Sequence, residues 1–162
     1  MGLVEPQSSG LGGGGFILNY NFTSGNLIFI DGRETAPSDA RIDMFMKDGK
    51  VMDFQEAWVS GKAVGSPGAV ALYKTAHDQS GKIEWSKLFN HAISLAENGF
   101  EVSPRLAGFV QALESYGRLS INSGSKEYFY PNGSPLKTGD ILVNKEYGCL
   151  LYTSDAADES DR

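Results

Sequence analysis

Two apolar segments set the strongest constraint on how this chain can fold. "FILNYNF" (Phe16–Phe22) alternates in part, with Phe16, Leu18, Tyr20 and Phe22 on one face and Asn19 and Asn21 on the other. "NLIFI" (Asn26–Ile30) is apolar throughout, the pattern of a strand covered on both faces. "TSGN" between them reads as a four-residue hairpin loop containing glycine. A lone two-stranded hairpin is marginal in water. A strand apolar on both sides needs sheet neighbours, and no further strong strand pattern follows. The hairpin is therefore expected to be one part of a larger sheet, in a chain that is otherwise mostly helical: α+β, and incomplete as a domain.

The approach to the hairpin is "EPQSSGLGGGGF", with Gly12, Gly13, Gly14 and Gly15 in a row. With Gly10 they satisfy G-x-G-x-x-G on paper. A dinucleotide site needs a strand before the loop and a helix after it, because the helix N-terminus holds the pyrophosphate. Here "VEPQSS" precedes and a strand follows. A phosphate-binding P-loop needs Lys then Ser or Thr, and Phe16 occupies that place. Both phosphate readings fail on context. Close backbone packing or positive φ beside a buried strand is the preferred use of these four glycines, as a structural turn, with a flexible linker as the alternative.

Punctuation divides the remainder. A short helix over residues 38–46, capped by Ser38, follows Pro37. "KDGK" (Lys47–Lys50) is a turn. Ser66-Pro67 predicts a helix start running through "GAVALYKTAHD". A second helix spans Glu84 to Asn98, with Trp85, Leu88, Phe89, Ala92, Leu95 and Ala96 on one face and Gly99 as its stop. Ser103-Pro104 begins a third, with Leu106, Phe109, Val110 and Leu113 inward. "KEYFYPNGSPLKTGDILVN" reads as turn-rich with two short strands.

The 162 residues suffice for one domain and a real core. With 20 Asp+Glu against 14 Lys+Arg and no basic run, a nucleic-acid surface is not expected. No apolar run approaches a membrane span, and "MGLVEPQSSG" has neither half of a signal peptide. Cys149 is the only cysteine, so no intrachain disulfide forms.

Chemistry-bearing residues are sparse. Arg33, in "DGRETAP", lies just past the second strand, after Gly32. An arginine there can fork onto a carboxylate through two parallel hydrogen bonds. On these residues alone an ion pair with Asp31 or Glu34 explains it more simply. His77 and His91 fall inside predicted helices without a second ligand at metal spacing, so no metal site is assigned. No G-x-S-x-G pattern marks a nucleophile, and no cofactor is implied.

The last fourteen residues, "CLLYTSDAADESDR", carry Asp155, Asp158, Glu159 and Asp161 against Arg162, half of the chain's −6. They read as a solvated acidic tail. They also match, over "CLLYTSDAADE", one translated frame of the adapter of transposase-based sequencing libraries. The expected division is thus 1–148 native and 149–162 an adapter-derived tail.

Four ordered segments, "EPQSSGLGGGGF", "DGRETAP", "GSPGAVALYKTAHDQSGKIEWSKLFNHAISLAENGFEVSPRLA" and "PNGSPLKTGDILVN", resemble the N-terminal part of γ-glutamyltransferases (glutathione hydrolases). The resemblance runs from residue 3 to about 148. It implies an N-terminal-nucleophile hydrolase fold, a four-layer αββα sandwich, formed from a precursor that cuts itself into large and small subunits. The small subunit of the same precursor would be the partner, glutathione-like small molecules the substrates, and the α-amine of an N-terminal threonine the base that activates its hydroxyl. It implies that Arg33 binds the α-carboxylate of the γ-glutamyl group, with Glu34 in support. It also implies that no catalytic residue lies in this chain, since the nucleophilic threonine belongs to the small subunit. "TAH" at Thr75 to His77 sits mid-helix, where self-cleavage is not expected. The parent would be periplasmic, secreted or membrane-anchored. Two alternatives remain: a related acylase, such as one acting on cephalosporins, or a free-standing non-catalytic interaction domain.

Overall fold

The structure, a computed structural model, describes residues 2–156. The chain divides into two compact units, Leu11–Ala76 and Met1–Gly10 with His77–Arg162.

In the first unit, β1 (Gly15–Asn21) and β2 (Asn26–Gly32) form an antiparallel hairpin in which Gly15 pairs with Gly32 and Asn21 with Asn26. The loop is Phe22–Gly25, one residue earlier than expected. Its closure is local: Asn21 Oδ1 accepts from the Thr23 and Ser24 amides, and Gly25, at φ 72°, donates its amide to the Asn21 carbonyl. Strand pairing puts Phe16, Leu18, Tyr20, Leu27 and Phe29 on one face, with Phe16 and Phe29 stacked at 5.7 Å. That face is exposed, Leu18 to 69%. β2 is exposed over Asn26–Phe29, because among the described residues β1 is its only strand neighbour and the further strands its pattern calls for are not supplied.

The helix expected at 38–46 is absent. Isolated i→i+3 bonds (Ala40 to Pro37, Met44 to Arg41, Met46 to Asp43) turn the chain instead. The segment has no apolar stripe to pack, and Arg41 spends its guanidinium on Asp43, two residues away. "KDGK" makes a tight turn between β3 (Met46–Lys47) and β4 (Lys50–Val51), with Asp48 at φ 52° and Gly49 at φ 75°. Helix α1 (Phe54–Trp58), unforeseen, is capped by Asp53, whose carboxylate accepts from the Gln55 and Glu56 amides.

Helix α2 (Ala69–Ser80) starts later than Ser66-Pro67 suggested. Ser66 is not its cap: it exchanges backbone hydrogen bonds with Thr35 (2.8 and 3.3 Å) in an isolated antiparallel bridge. The Gly13 carbonyl accepts from the Gly68 and Ala69 amides (3.1 and 2.9 Å), satisfying donors at the helix start.

The second unit holds the core. Expected as one helix from Glu84, its first part is a 3₁₀ turn (Ser86–Leu88) followed by α3 (Asn90–Asn98), ended by Gly99 at φ 95°. Ile93, outside the expected face, is buried, whereas Leu88 is exposed. Helix α4 (Pro104–Glu114) begins as its punctuation indicates: Ser103 Oγ accepts from the Leu106 amide, Pro104 is the first residue, and Leu106 and Val110 are fully buried. Of the turn-rich segment, part is helical: α5 (Ser123–Phe129), capped by Asn122. Strands β5 (Phe100–Glu101) and β6 (Ile141–Leu142) pair antiparallel. Leu3, Ala96, Phe100, Val102, Leu106, Val110, Leu136 and Leu142 form one continuous apolar core. Helix α6 (Lys145–Ala156) runs across the 148/149 boundary, with Cys149 exposed and Leu151 buried. Asp158, Glu159, Asp161 and Arg162 of the acidic tail lie outside the described residues. No described helix is long and apolar enough to cross a membrane.

Candidate functional site

Arg33 follows β2 directly, and three backbone contacts fix where it stands. Gly14 lies so close to the β2 exit that a Cβ there would come within 2.8 Å of Arg33 Cα and of the Glu34 amide. Only glycine fits this approach. By contrast, a Cβ on Gly12 would meet no atom within 4 Å. None of the four glycines has a positive φ, and a Cβ on Gly15 would make only an ordinary contact with Leu72 at 3.7 Å, so it is packing at Gly14 that demands the missing side chain. The Asp31 carboxylate accepts from the Arg33 amide at 3.0 Å. Just beyond, the Thr35–Ser66 bridge ties this segment to the approach to α2, and a Cβ at Gly65 would meet Glu34 Cβ and the Thr35 carbonyl at 3.0 Å.

These contacts shape an open cleft of about 530 Å³, wholly within the Leu11–Ala76 unit. Residues 33–37 and 62–65 line it, with Gly12, Met44 and Phe45. The size suits a small molecule. Arg33 and Glu34 both line it, their side chains 55% and 28% exposed, and Arg33 Nη1 stands 3.2 Å from Glu34 Oε2. The simpler use of Arg33 weighed from sequence is thus present, with Glu34 as the partner, while Asp31 takes the backbone amide. Yet Glu34 Oε2 has no hydrogen bond of good geometry, so the contact is a charge pairing and not a closed fork. A guanidinium carries five N–H donors, and most of those on Arg33 have no partner among the described residues.

Lys62 also lines the cleft, and sequence reasoning passed over it. It sits in a 3₁₀ turn (Gly61–Ala63) with no motif around it. Beside the cleft, the Arg41 guanidinium holds the Asp43 carboxyl below its usual range, and the Lys62 charge acts in the same direction.

The remaining candidates do not converge here. His77 contacts the Ile83 carbonyl through Nε2 at 2.7 Å and packs edge-on against Trp85. His91 is exposed on α3. Among the described residues no three His, Cys, Asp or Glu side chains gather as metal ligands. Thr75 donates its hydroxyl to the Ala71 carbonyl within α2, at 2.8 Å.

Comparison with known proteins gives this geometry a context. The family model described as Gamma-glutamyltranspeptidase matches residues 1–153. This chain belongs to the γ-glutamyltranspeptidase family. It is similar to the glutathione hydrolase proenzyme of Bacillus subtilis (strain 168), at 38% identity over 147 residues, which are 90% of this chain and 24% of that protein. The chain thus spans about a quarter of the length of that relative. Its structure resembles the γ-glutamyltranspeptidase of Helicobacter pylori, with a TM-score of 0.88 and 29% identity over 96% of this chain and 44% of that one. Cephalosporin acylase from Bacillus halodurans is similar too, with a TM-score of 0.74 over 96% of this chain and 29% of that one, but at 20% identity the likeness is one of fold alone. The fold is that of the N-terminal-nucleophile hydrolases, seen here as one exposed hairpin followed mostly by helices.

Proposed function

We propose that this chain supplies the carboxylate-binding part of a γ-glutamyl pocket. The whole protein would cleave the γ-glutamyl amide of glutathione-like donors and pass the acyl group to water, an amino acid or a peptide. One observation carries the reading: Arg33, rigidly placed by Gly14 and Asp31, faces a small-molecule cleft with donors to spare. A donor's α-carboxylate is planar and takes a guanidinium fork in two parallel bonds. Glu34 pairs with one edge of Arg33 and orients it.

The nucleophile is assigned to a threonine outside this chain, exposed when the precursor divides into two associated subunits. The proenzyme name of the Bacillus subtilis relative is consistent with such a division. Thr75 does not suit the role, because its hydroxyl is engaged and its amide nitrogen lies mid-helix. Arg33 also favours a γ-glutamyl over another acyl group, since an α-carboxylate calls for a cation. In the full-length protein, Arg33→Ala should raise the donor KM on the order of 100-fold, as expected when a carboxylate loses its charged partner. Unchanged donor kinetics would overturn the assignment. The present chain by itself should release no aniline from a γ-glutamyl anilide, and measurable turnover would place the nucleophile within it.

A further inference from the structure

The cleft holds a second cation, and its surroundings say what it is for. Lys62 lines the same cleft as Arg33, in the segment that the Thr35–Ser66 bridge ties to residues 33–37. The charged residues lining the cleft are Arg33, Lys62 and Glu34, so it is locally cationic in a chain whose formal charge is −6. Glu34 is turned to Arg33, and Asp43 is held by both Arg41 nitrogens, at 3.0 and 3.2 Å. Among the described residues no carboxylate stands within ion-pairing distance of Lys62, whose electrostatic influence on Asp43 acts from further away.

We propose that Lys62 is a specificity-determining residue that receives a second carboxylate of the ligand, on the leaving-group side of the γ-glutamyl amide. This rests on the γ-glutamyl reading of Arg33. A γ-glutamyl amino acid carries one ammonium and two carboxylates, a net charge opposite to that of the cleft. With the α-carboxylate on Arg33, the carboxylate of the departing amino acid is the group left for the second cation. Lysine suits this use: a point charge on a long stem follows a flexible carboxylate without demanding fork geometry. Donors ending in a free carboxylate would then be selected over neutral ones through binding, and the chemical step would be left to groups elsewhere.

A matched pair of donors tests this in the full-length protein: γ-glutamylglycine and its C-terminal amide, which differ by one charge. The readout is the ratio of their kcat/KM values. The unaltered protein should favour the carboxylate by about threefold to fivefold, the range of a solvent-accessible ion pair. Lys62→Met should bring the ratio to about one, and Lys62→Arg should restore most of it. A ratio unmoved by Lys62→Met overturns the proposal. A second measurement holds even if that variant fails to mature. In the unaltered protein the ratio should shrink as salt rises to about 1 M, where screening acts within about 3 Å. A salt-independent ratio, or no preference at any salt, overturns it too. The underlying reading fails separately: if Arg33→Ala leaves both donors unaffected, the cleft does not hold the γ-glutamyl group, whatever Lys62 does.

Discussion

The two units of this chain treat apolar residues in opposite ways. In the unit containing α3, α4 and β5–β6, Ala96, Leu106 and Val110 are wholly removed from solvent, and buried apolar side chains from these four elements meet around them. In Leu11–Ala76 only Ala69 and Leu72 are buried, while Phe16, Leu18, Tyr20, Phe22, Leu27 and Phe29 stand largely exposed on the hairpin. Composition does not explain the contrast, since both units are rich in large apolar residues. The reason is geometric. Helices spaced by short strands can close a core among themselves, whereas a hairpin buries its faces only against further layers. What order the hairpin unit has comes from backbone contacts: Gly14 against the β2 exit, Gly13 at the start of α2, and the Thr35–Ser66 bridge.

This contrast can be broken by matched substitutions, read as local stability by hydrogen exchange in denaturant. Leu106→Ala should cost about 3 kcal/mol in its unit, as a fully buried leucine leaves a cavity. Leu18→Ala should cost less than about 0.5 kcal/mol, as for a surface residue. An equal loss at Leu18 would show that the hairpin face is covered in solution. Next in size, Gly14→Ala should destabilise Leu11–Ala76 by about 2 kcal/mol, since it drives a methyl group into the backbone at Arg33. Gly12→Ala has open space and should be neutral, or stabilising by a few tenths of a kcal/mol through the unfolded chain. If the two glycines respond alike, packing at Gly14 is not what holds the site. The smallest effect belongs to the helix caps. Ser103→Ala and Asp53→Ala should each cost about 1 kcal/mol, and each loss should stay within its own unit.

Elements with local punctuation were legible. The β1–β2 hairpin, the "KDGK" turn, the start of α4 and the stop at Gly99 each depend on residues within a few positions, so their signals survive without tertiary context. The misreadings share one cause. Ser66-Pro67 has the form of a helix start, but Thr35, distant in sequence, takes the Ser66 backbone and Gly13 takes the cap's place. Residues 38–46 look like a short helix until one asks what they would pack against. Helices α1 and α5 are single short segments whose apolar periodicity is too brief to read.

The candidate site divides in the same way. Arg33 and Glu34 were visible because they sit in a motif next to a strand end. Lys62 carried no signal, because only the bridge to residue 35 brings it to the same cleft. The sequence by itself determined the family, the strand pair and the arginine proposed to bind a carboxylate, since these are written in contiguous stretches. That Gly14 cannot carry a side chain, which cation shares the cleft with Arg33, and that the hairpin's apolar faces stand uncovered were decided by tertiary structure alone. Each of those depends on residues far apart in the chain meeting in space, and no local pattern records such a meeting.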